Sequence, residues 1–285
     1  MNLDYNFKSR ENLLLIFGGF ASHPSHFLSF IPKDYDSIVV SSYRHLDFSA
    51  LQSCLKSLNP KPKITLLGFS MGVFVARVFL ESLEQDSPPI VRKIAVNGTE
   101  FGIHSQFGIP LKLFKLTQRT FDLEAFKRNL FEKSLDKTQD FVFLDSQTLR
   151  EELGFFIQAC AQFDTITGKI SWDKIIISKH DLIFSTQSQR NFWIDFKNSQ
   201  AQILEFDAPH FAFLIGSSNA ITQRAHLAKI PTSQANLCPK RKDSTHNAAH
   251  PAYTSTKTLP NAKIYQYFRA WLWQWNLEPT ICTDF

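Results

Sequence analysis

Short β-branched or leucine-rich runs recur at residues 13–17, 37–42, 64–67, 93–96, 174–178 and 202–206. Their length and composition suit strands, and the longer helical or mixed stretches between them predict a mostly parallel central sheet flanked by helices. The first three runs lie close enough for single crossovers, whereas residues 97–172 are too many for one. Inside that gap, residues 111–119, 123–135 and 146–162 carry apolar side chains at helical spacing, including Phe114, Leu116, Phe126, Leu130, Phe131, Leu149, Leu153, Phe155 and Phe156. The pattern predicts a helical cap inserted at about residues 104–165. Its aromatic stripes serve mainly as core and, at the cap's edge, as the wall of a substrate channel.

The texture changes after Leu214. Residues 216–260 are rich in Ser, Thr, Asn, Ala and Pro and contain the basic run Lys240-Arg241-Lys242, which reads as a poorly ordered linker over about 215–261. Residues 262–285 then gather Tyr265, Tyr267, Phe268, Trp271, Trp273 and Trp275, an aromatic-rich helix candidate that either docks on the protein's own core or meets a membrane or partner. Of the 31 Lys and Arg and 26 Asp and Glu, residues 211–285 hold 8 and 3, so all of the net charge of +5 falls in that last quarter. The preceding residues form the expected single catalytic domain, 1–214.

Composition excludes several classes. With 44% hydrophobic residues in 285, the chain can bury a substantial core. No apolar run approaches the roughly 20 residues that span a bilayer, and the opening Met-Asn-Leu-Asp-Tyr-Asn-Phe-Lys lacks the apolar stretch of a signal peptide, so a cytoplasmic location is expected. Cys54, Cys160, Cys238 and Cys282 have neither disulfide-framework nor metal-ligand spacing. There is no internal repeat or glycine-rich phosphate loop either, and no metal site, nucleic-acid partner or membrane is expected.

Chemistry enters at Gly68-Phe69-Ser70-Met71-Gly72, directly behind the run 64–67 and ahead of a helical apolar pattern over 71–83. A serine on a sharp strand-to-helix turn projects its hydroxyl above the sheet edge, where it can attack an acyl group; the alternative is that Ser70 only caps the helix. Serine needs a base, and the base needs an orienting carboxylate, in the chain order Ser, acid, His. Asp181 follows the run 174–178 and His210 follows 202–206, whereas Asp173 precedes its strand and would emerge at the wrong sheet edge. Competing histidines are less well placed. His23, His26 and His45 precede the serine, although His23 or His26 could line the site mouth; His180 adjoins the acid; His104 falls in the cap; and His226, His246 and His250 fall in the linker. Oxyanion donors are expected from the Met71 amide and, after Phe17-Gly18-Gly19, from the Phe20 amide.

Together these segments, with Ala95-Val96-Asn97-Gly98-Thr99, Gly108-Ile109-Pro110, His180-Asp181-Leu182-Ile183-Phe184 and Ala208-Pro209-His210-Phe211, resemble the BioG-type pimeloyl-[acyl-carrier protein] methyl ester esterases, α/β-hydrolases of biotin synthesis. The resemblance covers roughly residues 10–212. It implies a serine esterase that needs no cofactor and releases methanol from the pimeloyl-acyl-carrier-protein methyl ester, with Ser70 as nucleophile, His210 as base, Asp181 as orienting acid, and Phe20 and Met71 as amide donors. Two departures stand out: phenylalanine at position 20, where the family usually has tryptophan, and the long segment after the histidine. An acidic carrier protein would be met by basic residues, for which Lys112, Lys115, Arg119, Lys127 and Arg128 in the cap are candidates. The alternatives are a general short-chain carboxylesterase or acyl thioesterase, and a noncatalytic hydrolase-fold binding protein.

Overall fold

The β-rich runs assemble into one seven-stranded sheet in a computed structural model that describes residues 1–84, 87–197 and 199–214. The elements are β1 (Asn2–Asn6), β2 (Asn12–Phe17), β3 (Tyr35–Ser41), α1 (Ser49–Ser57), β4 (Lys63–Phe69), α2 (Met71–Glu81), β5 (Ile90–Val96), α3 (Leu111–Arg119), α4 (Leu123–Phe131), α5 (Ser146–Gln162), β6 (Lys174–Ser178), α6 (Thr186–Arg190) and β7 (Gln202–Phe206). The strand order is β1-β3-β2-β4-β5-β6-β7, with every pair parallel except β1 against β3. The linker expected at 215–261 and the aromatic helix expected at 262–285 lie outside the described residues.

The six expected strands are present as β2 to β7, and β1 is an addition. Asn2-Leu3-Asp4-Tyr5-Asn6 is poor in strand formers, so pattern alone does not reveal it. It forms because the free edge of β3 offers unpaired backbone groups, which register Asn2 against Ser41 and Asn6 against Ser37.

The parallel strands are apolar on both faces because both faces are covered. Leu13, Leu15 and Phe17 of β2 join a cluster with α1 and α2, while Leu14 and Ile16 point the other way, to Phe27, Phe30, Phe211 and Phe213. Helix α2 is buried at every position from Met71 to Phe79, as its nearly continuous apolar sequence requires. Burying a ring such as Phe79 stabilises the fold by roughly 1.5–3 kcal/mol.

Between β5 and β6 stand the three helices α3, α4 and α5. Asp122 caps α4 by accepting from the Ala125 amide, and Asp145 caps α5 by accepting from the Gln147 and Thr148 amides. α4 is shorter than its pattern: it stops at Phe131, where Glu132 takes a positive φ of 47°, and a 3-10 segment continues over Glu132–Thr138. Leu116 lies 45% exposed, outside the core stripe it was expected to join. At its far end the insertion is tied down by the buried Arg77 of α2, which donates to the carbonyls of Phe163 at 2.5 Å and Thr165 at 3.1 Å. Among the described residues no helix is long and apolar enough to cross a membrane.

Candidate active site

The site lies at the carboxyl ends of β4, β5, β6 and β7, the edge at which open parallel sheets present chemistry. Ser70 follows β4 with φ 55° and ψ −125°, a strained conformation for a residue with a side chain. That turn requires the helix to begin hard against β2, and the sequence permits it because position 72 is glycine: a Cβ there would stand 2.0 Å from the Phe17 carbonyl oxygen. Ser70 occupies the N-cap position of α2 but makes no side-chain cap bond. Its Oγ lies instead 2.9 Å from His210 Nε2, which removes capping as the account of this serine.

His210 Nδ1 lies 2.7 Å from Asp181 Oδ2. Both side chains are buried, at 2% and 0% exposure, so water does not compete for this contact. Asp181 is held by its other oxygen, which accepts from the Ile183 and Phe184 amides at 2.9 and 2.7 Å, and Gln189 Nε2 adds a contact to Oδ2 at 3.2 Å. The Phe69 ring lies 5.1 Å from the imidazole and walls it on the strand side. The structure therefore brings Ser70, Asp181 and His210 into one hydrogen-bonded chain, each from the loop after a separate strand.

The other candidates divide. Gly19 passes so close to the serine that a Cβ would stand 2.7 Å from Ser70 Cβ, which puts the backbone of the Gly18–Ser22 segment beside the hydroxyl. The Ser70 amide is used by the Val96 carbonyl at 2.8 Å, whereas the Phe20 and Met71 amides have no acceptor among the described residues. Phe20 and Met71 both line the cavity above Ser70. His180 pairs with Asp207, 60% exposed, and leaves Asp181 to His210. His23 and His26 do not line the cavity; His26 is buried against Phe141 and Phe143. Asp173 accepts from the Lys93 amide at the opposite edge of the sheet. His226, His246 and His250 lie outside the described residues.

The cavity, about 260 Å³, has Ser70 and His210 at its floor and walls from Phe20, Phe114, Phe121, Phe126, Leu130 and Leu153. All but Phe20 come from the insertion. Leu113 and Leu182, 51% and 64% exposed, stand at its edge. Such a site can seat an extended apolar acyl chain with its reacting carbonyl at the serine. The basic residues of the insertion lie apart from this floor. Lys112, Lys115, Arg119 and Arg128 are exposed and have no carboxylate in ion-pair range among the described residues, while Lys127 pairs with Glu124 at 2.8 Å.

Three residues of the site escaped sequence reasoning in their roles. Asn97 is fully buried and bridges β6 to the His210 loop; Gln189 supports Asp181; Glu152 of α5 bonds to the loop beside the serine. Asn97 stands directly behind a strand, which was the one available signal. Gln189 and Glu152 look like ordinary helix polar residues until the fold juxtaposes them.

The family described as pimeloyl-ACP methyl esterase BioG matches residues 1–217 of this chain. A malonyl-[acyl-carrier protein] O-methyltransferase of Bacteroides fragilis (strain 638R) is 29% identical over 207 residues, which are 71% of this chain and 40% of that protein. The chain thus spans well under half the length of that relative. Among solved structures, BioG from Haemophilus influenzae superposes with a TM-score of 0.63 at 24% identity, covering 74% of this chain and 94% of the other. A lipase-esterase related protein from Clostridium acetobutylicum gives 0.55 at 16% identity, covering 75% and 93%. These two likenesses establish the α/β-hydrolase fold, and the family match establishes more: this chain belongs to the BioG family of pimeloyl-ACP methyl esterases.

Proposed function

We propose that the chain is a serine carboxylic-ester hydrolase that demethylates the methyl ester of pimeloyl-[acyl-carrier protein], as its family's name states, in biotin synthesis. The observation that carries the reading is the 2.9 Å contact between Ser70 Oγ and His210 Nε2 at the floor of an apolar cavity. Ser70 Oγ attacks the ester carbonyl while His210 Nε2 takes its proton, and the imidazolium so formed is stabilised by Asp181. The tetrahedral oxyanion is met by the Phe20 and Met71 amides. Collapse breaks the C–O bond to the methoxy group, His210 returns the proton, and methanol leaves. Water then attacks the acyl-enzyme with His210 again as base, releasing the carboxylate and restoring Ser70. Apart from the attacking water, the catalytic groups in this sequence are the chain's own, so the mechanism calls for no cofactor.

In this reading residues 1–214 are the catalytic unit, with 104–165 as its cap, acting in the cytoplasm. The acyl chain runs from Ser70 along the cap helices, and the carrier protein stays outside. The exposed Lys112, Lys115, Arg119 and Arg128 of the cap, with Lys127, would face its acidic surface. The deciding experiment incubates purified full-length chain with pimeloyl-carrier methyl ester and follows methanol release and the intact mass of the carrier species, beside Ser70→Ala. Expected is a carrier product lighter by one methylene with its thioester intact, and none with Ser70→Ala. Release of free carrier would favour an acyl thioesterase, and turnover of short esters alone a general carboxylesterase.

A further inference from the structure

Helix α5 contributes more than a wall to the cavity. Glu152 is 3% exposed, and no cation lies in ion-pair range of its carboxylate among the described residues. Burying a carboxylate without an ion-pair partner is costly. What the carboxylate does is bond two backbone amides from separate loops: Oε2 accepts from Ala21 at 3.1 Å and Oε1 from Tyr43 at 2.9 Å. Ala21 is in the left-handed region, φ 58°, a conformation that alanine does not hold unaided. Three residues earlier in the chain, the other end of the loop is pinned as well: the Gly18 amide donates to the Val40 carbonyl at 2.9 Å, and the Tyr43 hydroxyl donates to the Gly18 carbonyl at 2.9 Å. Between these two clamps lie Gly19, in contact with Ser70, and Phe20, whose ring is held edge-on by Phe121 and Phe126 at 5.4 and 5.1 Å.

We propose that Glu152 is a positioning residue for ester hydrolysis: its carboxylate fixes the Gly18–Ser22 loop so that the Phe20 amide faces the oxyanion formed at Ser70. The inference rests on the esterase reading above. It makes the oxyanion hole a joint product of the sheet and the insertion, because the residue next to Glu152, Leu153, lines the acyl cavity. A cap that shifts also shifts a catalytic donor. Burial pushes the Glu152 carboxyl up to about 7, against the two amide bonds and the Met1 amino group and Arg44, which favour its charged form. The two amide bonds are stronger to the charged form, whose oxygens are both free to accept. Misplacing a donor by about 1 Å costs on the order of 100-fold in rate, and losing one costs about 100- to 1,000-fold in kcat.

The test is Glu152→Gln, which keeps the shape but sets an NH2 against one of the two amides. On a short chromogenic ester we expect kcat to fall about 10- to 100-fold with KM within about 3-fold, and a trifluoromethyl ketone, which forms an oxyanion on the serine, to bind more weakly by a matching factor. The stranded amide lowers the thermal midpoint whatever the role of Glu152, so kcat and ketone affinity are read per folded enzyme. A purely structural glutamate would leave ketone affinity per folded enzyme unchanged; that result, or wild-type kcat, overturns the inference. Should Glu152→Gln not fold, Glu152→Asp decides: it keeps the carboxylate but is one methylene too short to span the Ala21 and Tyr43 amides, and full kcat with full ketone affinity in that variant would also overturn the inference. Ser70→Ala is assayed alongside. Activity remaining there defeats the esterase reading itself, whereas an inactive Ser70→Ala beside an unaffected Glu152→Gln defeats only the role of Glu152.

Discussion

Asn97 Nδ2 donates to the main-chain carbonyl of His210 at 2.5 Å, so the residue directly after β5 holds the loop that carries the base. The same amide nitrogen reaches Ser178 Oγ at 2.8 Å, and Asn97 Oδ1 accepts the Ser178 amide at 2.7 Å. A single buried side chain thereby joins the ends of three strands at the site. Its φ of 50° also suits asparagine better than other residues with a Cβ.

Asn97→Ala should strand the Ser178 amide and release the His210 loop. We expect a loss of roughly 2–3 kcal/mol in urea unfolding and a kcat at least about 10-fold lower on a chromogenic ester. Asn97→Asp, of equal size, has no N–H for the His210 carbonyl and should lose comparable activity. Wild-type kinetics in the aspartate variant would show that the bond to His210 is immaterial.

Asp181 carries two kinds of bond. One oxygen takes the Ile183 and Phe184 amides, and the other takes His210 and Gln189. Asp181→Asn places an amide where His210 Nδ1 needs an acceptor, which favours the tautomer with its proton on Nε2, facing Ser70. The expected drop in kcat is about 100- to 10,000-fold, smaller than the loss in Ser70→Ala or His210→Ala. Steady-state kinetics of the three variants on one ester give the order, and Asp181→Asn retaining more than a tenth of wild-type kcat would remove it from the site.

Six strands, three inserted helices and the spatial set Ser70, Asp181 and His210 were legible because each is a local matter: a short apolar run, a helical period, or a residue type directly behind a strand. The bonds that support them were not. Asn97 and His210 are 113 residues apart, and Glu152 and Ala21 are 131 apart, so no window of sequence contains the pair. β1 was missed for the same reason, since Asn2 to Asn6 are a strand only by virtue of the edge of β3. Glu132 ended α4 early through a backbone conformation that the apolar pattern, which runs on to Leu135, does not signal.

The basic face of the cap makes a prediction about partner size. Lys115 and Arg119 flank a cleft between α3 and α5 that also contains Arg150 and Glu151, and neither forms an ion pair with a carboxylate among the described residues. The double variant Lys115→Glu with Arg119→Glu should lower kcat/KM for carrier-bound substrate about 10-fold or more at low salt, with the difference shrinking as salt rises. Small esters should be turned over as before. Reversal at Lys127, already paired with Glu124, should matter less. Equal losses on carrier-bound and small substrates would refute a docking role.

His26 predicts how the fold responds to acid. Its Nε2–H donates to the Val142 carbonyl at 2.7 Å and its Nδ1 accepts the His23 amide at 3.3 Å, while Phe141, Phe143 and Phe211 surround the ring. Burial lowers its pKa to about 4, with the Val142 carbonyl opposing and neighbouring His23 adding to the shift. The unfolded chain, with an ordinary histidine near 6.5, binds the extra proton first, so this residue's contribution is whole above pH 6.5 and declines as pH falls toward 4. At pH 4.5 the loss amounts to roughly 2–3 kcal/mol. Glu152 works in the opposite sense: its raised folded pKa makes acidification from about 7 favour the native state, so total stability against pH would confound the two. Comparing wild type with His26→Gln cancels that contribution, because glutamine can still donate to Val142 but does not titrate. Urea unfolding at pH 7.5 and 4.5 should show the wild type losing about 2–3 kcal/mol more than the variant over this interval, and parallel losses would mean that His26 is charged or solvated in the native protein.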